Sequence, residues 1–214
     1  LKKSNFWDTD LIPEDERTQF NAFFTFGRDF KVIPLFIAVS GNPIQARNPW
    51  LAFKEQYKQI RRWAWGASEF AHSVTKAYQQ KDLPWKIKLV PVLNQIRTST
   101  EWVLASSLPL FGGLIPLLLN EDFRTTTLAY ALPALLSILM QVGSIMILCM
   151  IYIEWRIAPK RPKQKGILFK LFTFGQWILL PYVGFMLSSL PALDAQTRLM
   201  FNKRLVYVES KKEK

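Results

Sequence analysis

Three residues at one spacing carry most of the chemistry that this chain can do. Gln59, Arg62 and Trp63 lie in the stretch Gln59-Ile60-Arg61-Arg62-Trp63-Ala64-Trp65-Gly66. At 3.6 residues per turn they share a helix face with Gly66 and Phe70. A planar guanidinium suits a phosphate or pyrophosphate, and an indole suits the apolar face of a sugar ring. Gly66 leaves a gap where another group can approach the backbone. The same pattern also suits a basic helix on anionic lipid, with tryptophans at headgroup depth. Arg61 stands at a free position of the spacing and reads as a solvated charge. Trp65 reads as packing or interface anchoring.

Helix signals place this stretch. Asn48-Pro49 supplies an N-cap and a first-turn proline, and no further proline follows before about Gln80. Upstream, Glu14 and Asp15 suit the positive end of a helix running to about Phe26. Gly27-Arg28-Asp29 reads as a turn. Lys31 to Ser40 is apolar and β-branched and predicts a short strand near a sheet edge, with Pro34 inside it and Gly41-Asn42-Pro43 ending it.

The order of these features resembles membrane-bound family 2 glycosyltransferases of the cellulose synthase and hyaluronan synthase type. Gln59-x-x-Arg62-Trp63 is similar to their Q-x-x-R-W signature. Ile12-Pro13-Glu14-Asp15 lies where the family carries T-E-D, with proline in place of threonine. The layout extends from about Phe6 to Leu193. The resemblance implies that Asp15, with Glu14 beside it, serves as catalytic base. It also implies that Arg62 meets a diphosphate, that Trp63 stacks on the acceptor sugar, and that Gln59 hydrogen-bonds nearby. It further implies a nucleotide-sugar donor, a glycan or lipid-linked acceptor, inversion at the anomeric carbon, and Mg or Mn held by aspartates upstream of this chain. Asp8-Thr9-Asp10 has the form of a metal-binding D-x-D, but lies too close to Asp15 for that family position.

Composition fits a membrane protein. The chain has 214 residues, half of them hydrophobic, eight tryptophans and a net charge of +12. Its basic residues flank apolar runs, which favours a lipid bilayer over nucleic acid as partner. The single cysteine, Cys149, lies in such a run and excludes an intrachain disulfide. His72, the only histidine, reads as structural. No phosphate-cradling glycine loop, Cys-x-x-Cys pair or Ser-His-Asp set stands out.

Lys81 to Trp85 punctuates the chain, and Lys86 to Arg97 reads as an amphipathic interface segment interrupted by Pro91. Three uncharged or nearly uncharged runs follow, Trp102–Leu119, Thr126–Ile153 and Ile167–Leu193. Each is long enough to cross a ~30 Å hydrocarbon layer, with Pro133 a kink candidate in the second. The basic stretch Arg156 to Lys170 reads as cytoplasmic and the acidic Asn120–Arg124 as external, which puts the Gln59 helix in the cytoplasm. The basic tail also argues for inside, which three full crossings would not allow.

The expected architecture is an α-helical membrane region of about three transmembrane helices plus interface helices, attached to the C-terminal end of an α/β, GT-A-like domain. Residues 1–47 would be the tail of that domain, 48–98 the signature helix and interface segment, 99–193 the membrane region and 194–214 a basic tail. The chain reads as the C-terminal, separately inactive part of an integral membrane glycosyltransferase of the plasma or inner membrane, serving polysaccharide synthesis. The alternative is a non-enzymatic membrane protein, such as a transporter half or assembly scaffold.

Overall fold

The computed structural model describes residues 7–8, 11–37, 39, 44, 46–157, 166, 171 and 175–205. Among them the chain is all-helical. Two compact units form. One comprises Leu1–Leu104 with Met186–Lys214, the other Ala105–Phe185.

The first unit begins with α1 (Glu14–Phe26), whose first turn carries Glu14, Asp15 and Glu16. Three acids there meet the unpaired amides and the positive end of the helix. Gly27 ends α1 at φ 58, a left-handed conformation that glycine adopts without Cβ strain. Beyond it, residues 31–37 form no strand. The strand expected over Lys31–Ser40 is corrected to irregular chain over residues 31–37, and Ala38 and Ser40 lie outside the described residues. Val32, Ile33 and Phe36 are exposed, and among the described residues no second strand offers the ladder that β-branched composition needs.

Helix α2 (Pro49–Trp63) starts as its sequence predicts. The Asn48 side chain accepts a hydrogen bond from Leu51 N at 2.8 Å, with Pro49 in the first turn. The helix does not run unbroken to Gln80. A 3-10 turn over Ala64–Ser68 separates it from α3 (Glu69–Gln79). α4 (Trp85–Phe111) runs straight through Pro91, so the interface segment and the start of the first apolar run are one helix rather than an interrupted one.

Two apolar clusters hold this unit. Phe20 and Phe24 of α1 pack on Ala77 of α3 and Val92 of α4, each phenyl contributing about 1.5–3 kcal/mol by leaving water. Arg17 makes a two-pronged ion pair with Glu69, one arm being Nη2 to Oε1 at 2.9 Å. Glu69 is only 1% exposed, so this pair satisfies a carboxylate that would otherwise be costly to bury. His72 pairs with Asn21 Oδ1 at 3.0 Å, a structural role as expected. In the second cluster Trp65 and Ala64 of the 3-10 turn meet Ala192 and Ala195, with Ile12, Trp102 and Leu199 around them.

Ala192 and Ala195 belong to α8 (Gln176–Met200), a helical stretch with a π turn at Phe185–Ser189. Its last section, Leu190–Met200, is packed against α2, the 3-10 turn and α4. Ser189 Oγ donates to Trp102 O at 3.2 Å and Gln196 Nε2 to Ser99 O at 2.9 Å. At the end of the third apolar run Pro191 and Ala192 are therefore covered by protein, while Leu193 stays exposed.

The second unit contains the end of α4, α5 (Leu114–Leu119), α6 (Glu121–Arg124), α7 (Thr127–Ile157) and the start of α8. Phe111 meets Phe185 edge-to-face with ring centroids 4.9 Å apart. Two helices are long and apolar enough to cross a membrane, Thr127–Ile157 and Gln176–Met200. The first expected span is not a third among the described residues. Gly112-Gly113 breaks it, and its helical part in α4, residues 102–111, is roughly 15 Å long at 1.5 Å per residue, half the hydrocarbon thickness.

Candidate functional site

α1 presents two faces. Arg17, Phe20, Asn21 and Phe24 bind it to its neighbours, which leaves Glu14, Asp15, Glu16 and Gln19 toward a cavity of about 550 Å³. The other walls come from Ile12, Pro13, Arg62, Trp63 and Trp102. The end of α2 brings Arg62 and Trp63 there because the 3-10 turn then buries Trp65, which is 8% exposed, in the second cluster while Trp63 stays 52% exposed. Two tryptophans two residues apart thus divide packing from display.

Four of the five residues singled out from the sequence line this one cavity: Glu14, Asp15, Arg62 and Trp63. Gln59 is not among its lining residues and sits half-buried one turn earlier on α2. Arg61 is not merely solvated. It donates to Asp194 Oδ2 at 2.8 Å, and Arg198 donates to Asp194 Oδ1 at 2.7 Å. Tyr57 lies beside them, and burial raises its phenol pKa. Asp8 pairs with Arg17 at 3.7 Å, and Asp10 lies outside the described residues.

Glu16, Gln19 and Trp102 are the wall residues that motif spacing did not single out. Glu16 has the most perturbed environment. Its pKa rises to about 7, chiefly through burial, with the charges of Glu69 and Asp15 adding to the rise and a hydrogen bond from Gln95 opposing it. Gly66 carried the only signal for it, since the gap there is filled by the Glu16 carboxylate. Glu16 and Gln19 also line a second cavity of about 270 Å³, with Phe20, Phe23, Phe30, Asn94 and Gln95.

The first cavity falls within the roughly 300–1,000 Å³ of small-molecule sites. It offers carboxylates able to take a proton, one guanidinium for an anion, two indoles for an apolar ring face and an amide for hydroxyls. Carboxylates outnumber the cation, so the walls suit deprotonation of a bound hydroxyl better than unaided binding of a diphosphate. Among the described residues no group of three or more His, Cys, Asp or Glu side chains converges as a metal site. The resemblance places the Mg or Mn ligands upstream of this chain, so these residues do not bear on that ion.

No protein-family model, curated protein or solved structure matches this chain.

Proposed function

We propose that the chain is part of an integral membrane glycosyltransferase, resembling family 2, that moves a sugar from a nucleotide-sugar donor to a glycan or lipid-linked acceptor. The observation that supports this reading is the single cavity lined by Glu14, Asp15, Arg62 and Trp63, which are drawn from two motifs far apart in sequence. In this reading Asp15 takes the proton of the acceptor hydroxyl, with Glu14 beside it, as the hydroxyl attacks the anomeric carbon. Trp63 holds the acceptor ring, Arg62 faces the departing diphosphate, and Gln59 orients the acceptor from the preceding turn. Attachment to an α/β catalytic domain, the divalent ion and the cytoplasmic placement of the site rest on the resemblance and on loop charge. Bilayer association has its own support in α7 and α8.

The test incubates membranes carrying the complete gene product with a panel of labelled nucleotide sugars and Mg or Mn. Release of nucleoside diphosphate with label entering lipid or polymer, lost in Asp15→Asn and Trp63→Ala, is the expected result. Absence of both turnover and nucleotide binding would overturn it in favour of a non-enzymatic scaffold.

A further inference from the structure

One carboxyl joins the two halves of the site. Glu16 follows Asp15 on α1, and its side chain reaches the 3-10 turn that follows Trp63. A Cβ on Gly66 would collide with the Glu16 carboxylate oxygen. Gln95 of α4 closes the arrangement. Its Nε2 donates to Gly66 O at 2.8 Å, which fixes the turn against which the Glu16 carboxyl lies. Gln95 is 5% exposed and Gly66 is buried, so neither partner is free to follow solvent.

The geometry has a direct consequence for the cavity. Trp63 is three residues before Gly66, and Asp15 is one residue before Glu16. The contact of the Glu16 carboxyl with the turn at Gly66 therefore links the indole's turn to the acid's helix over a few residues on each side. The side chain at position 16 is long enough for its carboxyl to reach the turn at Gly66.

We propose that Glu16 is a positioning residue of this site, seated on Gly66 so that a ring stacked on Trp63 stays in register with Asp15. This inference rests on the glycosyl-transfer reading. It assigns Glu16 no contact with the reacting atoms.

The experiment uses the complete protein in membranes or detergent, with the nucleotide sugar that wild type turns over. Glu16→Ala should lower kcat on the order of 10²-fold, the effect of an ångström-scale misplacement, with KM for the donor nearly unchanged. Glu16→Gln keeps the length and shape that reach Gly66, and should restore most of the kcat lost in Glu16→Ala. Gly66→Ala, which evicts the carboxyl, should reproduce the Glu16→Ala loss, and the double variant should be no worse than either. Thermal unfolding should be non-additive in the same way.

Wild-type kcat in Glu16→Ala, or additive losses in the pair, would overturn the proposal. Loss in Glu16→Gln equal to that in Glu16→Ala would also overturn it, because the charge or proton would then be what matters. If wild type neither turns over nor binds any nucleotide sugar, the transferase reading fails and the positioning role falls with it. Non-additive unfolding would then still mark Glu16 and Gly66 as a structural pair, which separates the two failures.

Discussion

Arg61 and Asp194 meet at 2.8 Å across 133 positions of sequence. The pair ties the signature helix α2 to the end of the last apolar run. Both side chains are mostly covered, 21% and 25% exposed. Arg198 binds the other oxygen of the same carboxylate. Asp194→Ala leaves two guanidinium groups and the Tyr57 hydroxyl without this acceptor. It should destabilise the first unit by about 1–3 kcal/mol, read as a lower unfolding temperature in detergent. Asp194→Asn, which keeps the shape and one acceptor, should lose less.

Trp63 and Trp65 should separate cleanly. Trp65 is buried among Ala64, Ala192 and Ala195, so Trp65→Ala should cost about 3–5 kcal/mol by opening a cavity. Trp63 is exposed at the cavity wall, and Trp63→Ala should change stability by no more than about 0.5 kcal/mol. Its loss should fall on acceptor use. Thermal unfolding of both variants beside acceptor titrations checks this.

Glu16 should make stability depend on pH. Its pKa is raised from the ordinary 4.5 to about 7, mainly by burial. The folded protein thus holds a proton that the unfolded chain releases, and Glu16 penalises folding once ionised. The penalty is full above pH 7, falls as pH drops from 7 toward 4.5, and is absent below about 4.5. The side chain is only partly buried, which reduces the effect to on the order of 1 kcal/mol. Glu16→Gln should therefore raise the unfolding temperature at pH 8 and leave it unchanged near pH 4.5. The repulsion from Asp15 and Glu69, which adds to the rise, disappears with the Glu16 charge and is part of the same difference.

α7 should insert as a membrane span. Val142 lies near its middle and is 52% exposed. Val142→Arg should disfavour insertion by about 2.5–3.5 kcal/mol, measured as the inserted fraction of the segment with glycosylation tags on both flanks. An unchanged fraction would mean that α7 lies in protein or at the interface.

The local features were legible before any tertiary structure. Asn48-Pro49 starts α2, the acidic turn starts α1, and the apolar stretch from Thr126 becomes α7, because capping, dipole and hydrophobic length depend only on neighbours in sequence. The strand expected at Lys31–Ser40 failed for the complementary reason. Its composition describes a surface that needs a partner, and the described residues offer none. The break at Ala64–Ser68 was hidden too, because the helical period continues through it while burial of Trp65 imposes a tighter turn.

What the sequence alone determined is therefore the starts of α1 and α2, the apolar length of α7 and the residue types at the Glu14-Asp15 and Gln59-x-x-Arg62-Trp63 positions. Tertiary structure alone decided that Asp15, Arg62 and Trp63 line one cavity while Gln59 does not, that Glu16 fills the space at Gly66, and that Asp194 holds Arg61. Each of these depends on side chains tens of residues apart meeting in space. Helical periodicity orders only neighbours three or four positions away, so no spacing in the chain encodes such a meeting.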